Sequence, residues 1–193
     1  MDTNLINSSF EEVRQMFKET DLRFKETALR FKETDLKFRE SEARFKKMED
    51  IFIDKWGRFM EVLINSGALQ ALKEYQGLNV TSSASRVRED MRNGFGRGME
   101  IDVLCWGKDV VVPIEVKTTL NVEYVKEHEE RLKRFSQCFP RFAGSDIYGG
   151  VAALHFNEDS DRYAYRKGLY VMTLVGKSMV SIINDQKFKP AVW

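Results

Sequence analysis

The chain has 193 residues, enough for one domain of ordinary size plus an extension, and 42% of them are hydrophobic, as in many globular proteins. Its net charge of only +1 excludes a protein that coats nucleic acid through bulk positive charge, so any such binding must depend on local patches. No apolar run approaches the roughly 20 residues of a membrane span, the polar N-terminal residues are unlike a signal peptide, and two cysteines are too few for a disulfide scaffold. We therefore expect a cytoplasmic protein without membrane association.

The first quarter of the chain is a seven-residue repeat. Phenylalanine recurs every seven residues from Phe10 to Phe59, glycine is absent before Gly57 and proline before Pro113. Such a repeat predicts a heptad helix. We predict a heptad-repeat coiled coil over residues 1–52 and a second domain over residues 53–193.

The charges of the repeat favour one way of pairing. With phenylalanine at heptad position a, position g is basic and position e acidic, which suits a parallel homo-oligomer through the N-terminal helix. The expected contacts across the seam are Arg30 with Asp35, Lys37 with Glu42 and Arg44 with Glu49. Threonine at position d weakens this seam. A second stripe, formed by Leu22, Leu29 and Leu36, is an alternative helix-binding face, and a solvated single helix is a further alternative.

The second domain begins with a helix and a strand. Apolar spacing predicts a helix from Ile53 to Tyr75 that Gly77 caps, then a strand from Leu78 to Ala84. A flexible basic connection is predicted over residues 85–98. Four arginines are candidate phosphate contacts for DNA, although a solvated loop explains them nearly as well. They are Arg86, Arg88, Arg92 and Arg97.

A charged hairpin follows. Residues 100–106 and 110–117 predict two strands joined by a turn at Gly107. In that register Asp102 lies opposite Pro113 and diagonal to Glu115, and Glu115 and Lys117 share its face of the hairpin. Two carboxylates and an ammonium would therefore converge.

These groups predict a metal site. Hard cations such as Mg²⁺ or Mn²⁺ prefer oxygen ligands, so Asp102, Glu115 and the carbonyl of Val116 are candidate ligands. Lys117 would hold or activate the attacking water. Glu61 on the preceding helix either points across the sheet toward Asp102 or is a surface glutamate, and the sequence supports the two about equally. A solvated charged face is the alternative for so short a pattern. The apolar neighbours of Glu115 favour a site, because buried charges need a partner or a metal.

The remaining residues predict alternating helices and strands. Asn121 is expected to cap a helix that runs to about Cys138, with His128 as a packed core residue of its inner face. The further predicted elements are a strand over 147–156, a helix over 159–167 capped by Asp159 and stopped by Gly168, a strand over 169–175 and an edge strand over 179–183. This order predicts an α/β fold.

With these motifs, roughly residues 53–184 resemble the PD-(D/E)XK nuclease superfamily. The resemblance implies a restriction-endonuclease-like αβββαβ core after the N-terminal coiled-coil helix. Asp102 matches the acid of its second strand, Glu115-Val116-Lys117 its (D/E)-x-K, and Glu61 the glutamate of its first core helix. Ile101 stands where the proline of the family name would be. The whole chain also resembles prokaryotic proteins that join a heptad-repeat helix to such a domain.

The resemblance implies a magnesium-dependent endonuclease that hydrolyses DNA phosphodiester bonds, with Asp102, Glu115, Lys117 and Glu61 as catalytic residues. A third hypothesis, which differs only in the shape of the substrate, is a resolvase-like enzyme that acts on branched DNA as a dimer. The alternative from another class is a non-catalytic coiled-coil adaptor or nucleic-acid-binding module that has a nuclease-like fold.

Overall fold

The computed structural model describes residues 3–90, 98–175 and 180–193. The chain divides into two compact units, Met1–Phe52 and Ile53–Trp193. Among the described residues, none of the helices is both long enough and apolar enough to cross a lipid bilayer.

The first unit is helical. Helix α1 spans Thr3–Gln76, and its residues up to Phe52 make up the described part of the first unit. All side chains from residue 11 to residue 52 are exposed. Five ion pairs on its surface each join residues four positions apart, with N–O distances of 2.7–3.1 Å. They are Glu19–Arg23, Asp21–Lys25, Glu26–Arg30, Glu33–Lys37 and Asp35–Arg39. The long N-terminal helix is confirmed, and its assembly into a coiled coil stays a prediction.

The second unit is a mixed α/β domain that starts with the C-terminal part of α1. Its strands are β1 (Val80–Glu89), β2 (Met99–Gly107), β3 (Val110–Leu120), β4 (Asp146–Ile147), β5 (Gly150–Phe156), β6 (Tyr170–Thr173) and β7 (Ser181–Ile182). Its other helices are α2 (Val122–Lys133), α3 (Phe135–Cys138) and α4 (Ser160–Arg166), with a 3₁₀ turn at Pro140–Phe142.

One seven-stranded sheet organises this unit. Its order is β1-β2-β3-β5-β6-β7, and the short β4 pairs with the start of β3. Strands β1, β2 and β3 are antiparallel to their neighbours, whereas the helical crossovers through α2, α3 and α4 make β3, β5 and β6 parallel. Strand β7 pairs antiparallel with β6 at the edge. The predicted α/β fold is therefore confirmed.

Alternation along the strands builds two cores, one on each face of the sheet. The α1-side core combines residues of α1 with one set of strand residues, such as Val103, Cys105, Val112 and Ile114. The α2-side core combines α2, α3 and α4 with the alternate residues, such as Leu104, Val111, Val151 and Ala153. A domain with helices on both faces follows, which matches the near-continuous apolar composition of β3 and β5.

Several local predictions are confirmed. The domain's first helix ends where expected, and Gly77 follows it with φ +66°. The Asn121 side chain accepts a hydrogen bond from the N–H of Tyr124 at 2.9 Å, which caps α2. His128 is fully buried, as expected of the inner face of α2.

Other local predictions are wrong. Strand β1 runs on through Arg88, where a flexible connection was expected, because pairing with β2 satisfies its backbone. Asp159 has φ +53° and its side chain makes no capping hydrogen bond to α4. The turn of the hairpin lies at Lys108–Asp109, so Pro113 faces Leu104 rather than Asp102. Arg92 and Arg97 lie outside the described residues.

The α2-side core gives a test of stability. Phe135 is fully buried and stacks on Phe139 and Phe142, with ring centroids 4.6 and 5.9 Å away. Phe135→Ala should lower the free energy of unfolding by about 3–5 kcal/mol, because it leaves a cavity under α2. Urea denaturation measures this change. Val62→Ala, at a side chain that is 60% exposed, should alter it by less than about 0.5 kcal/mol. Equal effects of the two substitutions would contradict this assignment of the core.

Candidate active site at the fork of strands β2 and β3

The predicted site residues meet where two strands separate. Strands β2 and β3 pair from Trp106–Val111 as far as Val103–Ile114. Beyond that point β2 continues beside β1, and β3 continues beside β5. Asp102 and Glu115 are the first residues of the two strands past the last pair. The site therefore lies in a fork that groups from both faces of the sheet can reach.

Asp102 closes the inner end of the fork with its side chain. Its Oδ2 accepts a hydrogen bond of 2.8 Å from the backbone N–H of Val116, a residue beyond the last pair of the β2–β3 ladder. The alternation of β2 breaks here, since Met99 and Ile101 join the α2-side core while Val103 joins the α1-side core. Opposite this break, Arg86 of β1 has φ +55°, a left-handed conformation that is uncommon for arginine. The local irregularity turns the Asp102 carboxylate toward β3.

Glu115 is a buried carboxylate between two cations. Its side chain is 4% exposed; Oε1 lies 2.6 Å from Nζ of Lys117, and Oε2 lies 2.6 Å from Nη2 of Arg131 on α2. Burial alone would raise the pKa of Glu115, but these cations outweigh it and the pKa is lowered. Glu115 is therefore ionised at neutral pH.

His128 lies on the same face of α2 as Arg131 but carries no charge at neutral pH. Burial lowers its pKa to about 4, against the opposing effect of Glu115, so the ring is neutral at pH 7. Among the described residues, the buried Nε of Arg131 has no hydrogen-bond partner. The charge that holds Glu115 ionised therefore comes from Arg131 and Lys117.

Asp102 lacks such compensation. Burial raises its pKa to about 7, the neighbouring charge of Glu115 adds to this, and the Val116 N–H and Lys117 oppose it. Burial would lower the pKa of Lys117, but Glu115 and Asp102 together raise it. Lys117 is thus a cation that can donate hydrogen bonds to water or phosphate, and it is no proton acceptor at neutral pH. Its ammonium also lies 5.3 Å from the ring centroid of Tyr124.

Glu61 approaches the fork from the other side. Its side chain is 17% exposed, and burial raises its pKa despite Arg86, whose Nε lies 3.8 Å from Oε2. Its charge acts on both Asp102 and Lys117. Arg86 also lies 3.4 Å from Glu100, with which Arg88 pairs as well. Both arginines remain accessible at the rim of the fork, where their side chains are 46% and 67% exposed.

The donor set of the fork fits a hard divalent cation. It offers two carboxylates and the carbonyl of Val116, all oxygen ligands. The pKa of Asp102 is raised first by burial and then by the charge of Glu115, and a bound cation would offset both effects. No group of three or more His, Cys, Asp or Glu side chains suited to a metal occurs in the described residues. That is compatible with Mg²⁺, which commonly uses one or two carboxylates and keeps several waters.

The sequence predicted the two strands that form the site but missed one cationic partner of Glu115. The structure places Asp102, Glu115, Lys117 and Glu61 around one fork. Arg131, which the sequence analysis did not identify as a site residue, points inward to Glu115. Its spacing of three residues from His128, on the same helical face, was the available signal.

Comparisons with known proteins do not assign a family. No protein-family model matches the chain, and no curated protein matches it. A structure of a repair endonuclease from Pyrococcus abyssi aligns at 14% identity with a TM-score of 0.34, over 55% of this chain and 44% of that one. Protein VC1899 from Vibrio cholerae aligns at 13% identity and TM-score 0.45, over 61% and 30%. An EndoMS–double-stranded DNA complex aligns at 14% and 0.37, over 59% and 44%. Each of these alignments spans less than half of the matched chain, so function has to be inferred from the site itself.

The Arg131–Glu115 pair should contribute to stability. Arg131→Met leaves a buried carboxylate with Lys117 as its sole cationic neighbour, and the free energy of unfolding should fall by about 1–3 kcal/mol. Urea denaturation at pH 7 measures it. Lys133→Met, which removes an exposed cation of the same helix, is the matched control and should have little effect. Adding Glu115→Gln to Arg131→Met should recover part of the loss, and simple additivity would contradict the pairing.

Neutralising Asp102 should raise the free energy of unfolding, whereas loss of Arg131 should lower it. Asp102→Asn keeps an oxygen acceptor for the Val116 N–H and removes a charge beside Glu115, so it should raise the free energy of unfolding by roughly 1–3 kcal/mol at pH 8. A carboxyl whose folded pKa is raised contributes stability below its unfolded pKa and loses it as the pH rises through the folded pKa. The difference should therefore be small near pH 4 and grow toward pH 7–8.

Thermal or urea unfolding across that pH range, in buffer with a chelator, measures the difference. Asp146→Asn, at an exposed carboxylate, is the control. A destabilising Asp102→Asn at pH 8 would show that the carboxylate is structurally compensated and would contradict the charge imbalance.

Proposed function

We propose that the protein is a metal-dependent endonuclease that hydrolyses DNA phosphodiester bonds at the fork. The observation that carries the proposal is the convergence of Asp102, Glu115 and Lys117 where β2 and β3 separate. A structural ion pair needs one acid and one base. Here a second, uncompensated carboxylate sits in the same fork, which lowers stability and is typical of functional sites.

The roles follow from the contacts. Asp102, Glu115 and the carbonyl of Val116 would hold Mg²⁺ or Mn²⁺. The bound ion would lower the pKa of water and offset charge on the phosphate. Hydrolysis joins the water oxygen to phosphorus and breaks the bond to the sugar oxygen, which leaves with a proton. Lys117, as a cation, orients the water or a phosphate oxygen by donating hydrogen bonds.

The neighbouring groups support this arrangement. Arg131 fixes the orientation of Glu115 from α2 and keeps it ionised. Glu61 assists from α1 through its charge on Asp102 and Lys117. Arg86 and Arg88 present forked guanidinium groups that can exchange Glu100 for DNA phosphates. Arg92 and Arg97 remain candidate phosphate contacts.

A second function is favoured by one specific observation. Both oxygens of Glu115 are already neutralised by Lys117 and Arg131, as in a structural ion-pair network. The alternative is a coiled-coil adaptor or nucleic-acid-binding module whose fork only stabilises the fold. Such a module would bind DNA or a protein partner without cutting it, and it would not need Asp102.

Cleavage of supercoiled, linear, branched and single-stranded DNA with Mg²⁺ or Mn²⁺ tests the proposal. Wild-type protein should nick at least one substrate only when the metal is present. Asp102→Asn and Lys117→Met should each reduce the rate by at least about 100-fold, because they remove a ligand and a charge stabiliser of the transition state.

Asp146→Asn and Lys126→Met are matched controls at exposed sites and should cut at the wild-type rate. Metal-dependent nicking that persists at the wild-type rate in Asp102→Asn would contradict the proposal. DNA binding without cleavage by all forms would instead support the binding module.

A further inference from the structure

The N-terminal helix carries a row of phenylalanines that nothing covers within its own unit. Five of them, at intervals of seven residues, are 64–72% exposed. They are Phe17, Phe24, Phe31, Phe38 and Phe45. A soluble helix ordinarily buries its apolar stripe, and most helical stability in proteins comes from that packing. This Phe face therefore calls for a partner of matching length and spacing.

The charges on either side of the Phe face define that partner. With phenylalanine at position a, the g position before Phe17 is Met16, and the g positions before the other four phenylalanines are basic: Arg23, Arg30, Lys37 and Arg44. The e positions are acidic with one exception: Asp21, Ala28, Asp35, Glu42 and Glu49. From Phe24 to Phe45 one flank is thus positive, and the other flank is negative except at Ala28.

We propose that the Phe face binds a second copy of this chain, with the two helices parallel and in register. In that arrangement each g residue of one helix faces the e residue five positions further along its partner. Arg30 meets Asp35, Lys37 meets Glu42 and Arg44 meets Glu49. The complementary partner of this surface is therefore the same surface.

The same pattern disfavours an antiparallel pair. When two helices run in opposite directions, g faces g and e faces e. Arginine and lysine would then face arginine and lysine on one flank, and carboxylates would face carboxylates on the other. Like charges placed opposite one another select against that orientation.

The threonines at position d destabilise the seam less than their polarity suggests. At position d, the hydroxyls of Thr20, Thr27 and Thr34 each donate to the backbone carbonyl four residues earlier, at 2.8, 2.7 and 2.8 Å. Because a buried hydroxyl is costly mainly when it lacks a partner, these threonines can turn their methyl groups to the seam. Polar d positions therefore do not prevent pairing through the phenylalanines.

The leucine stripe is a poorer seam. A seam needs apolar residues at alternating spacings of three and four. Leu22 is followed at those spacings by Lys25 and Glu26, and Leu29 is followed by Lys32 and Glu33. The second line of contacts would thus be charged. The Phe face instead has uncharged residues at d from Val13 to Met48.

Sedimentation equilibrium of the full chain over a concentration series tests the surface. Wild type should associate, and Phe24→Gln/Phe31→Gln should raise the dissociation constant by at least about 100-fold, because several buried rings are lost from each pair of helices. The matched control is Leu22→Gln/Leu29→Gln, which removes two apolar side chains from the other stripe and should associate like wild type.

A monomeric wild-type chain would overturn the proposal. So would dissociation by the leucine variant with the phenylalanine variant unaffected. Circular dichroism at a concentration where wild type is associated identifies any variant that loses helix directly. For such a variant, Phe24→Leu/Phe31→Leu should restore association.

Disulfide formation tests the orientation. Thr20→Cys places a thiol at position d, so a parallel in-register pair should cross-link rapidly on mild oxidation. An antiparallel pair centred on Phe31 would hold the two thiols roughly 33 Å apart and leave them reduced. Wild type is the control, since Cys105 and Cys138 are buried. An oligomer of the Thr20→Cys variant that does not cross-link would overturn the parallel arrangement.

Discussion

The end of the β2–β3 ladder is the constraint on which the site depends. Once β2 turns away after Val103, the N–H of Val116 lies beyond the last pair of the β2–β3 ladder, and a buried backbone donor must find an acceptor. Asp102 supplies that acceptor. A carboxylate is thereby fixed beside the next residues of β3, among them Glu115. The same hydrogen bond that completes the backbone thus brings two acids together.

The two carboxylates of the fork are unequally compensated by cations, and this difference makes the site suited to binding a cation. Arg131 and Lys117 keep Glu115 ionised although it is almost fully buried. Burial, and then the charge of Glu115, raise the pKa of Asp102, because one backbone hydrogen bond and Lys117 do not offset them. A fold selected for stability alone would replace it with a neutral acceptor. Its presence is explained if a divalent cation and a phosphate complete the balance.

Sequence patterns predicted the fork's residues better than its geometry. Alternation identified β2 and β3, but the turn lies at Lys108–Asp109, which shifts the register by two residues from the one expected. An even shift keeps each side chain on its face, so the predicted convergence of Asp102 with Glu115 survived that error. The break in alternation at Asp102 lies opposite Arg86 of the neighbouring strand, which has a left-handed conformation, and no local sequence pattern predicts that irregularity.

Other errors have the same tertiary origin. The serine- and arginine-rich end of β1 has low strand propensity, and only its pairing with β2 makes it a strand. Arg131 was not recognised as a site residue because arginine is seldom buried, yet it pairs with the buried Glu115. By contrast, features decided within a few residues, such as the Asn121 cap and the Gly77 terminus, were predicted correctly.

Electron paramagnetic resonance of Mn²⁺ titrated into the full chain tests most directly whether the fork is a cation site. Wild type should remove free Mn²⁺ signal with a saturable site, and Asp102→Asn/Glu115→Gln should abolish that site while the protein stays folded. Equal binding by the two proteins, or no saturable binding by wild type even with DNA present, would contradict the account.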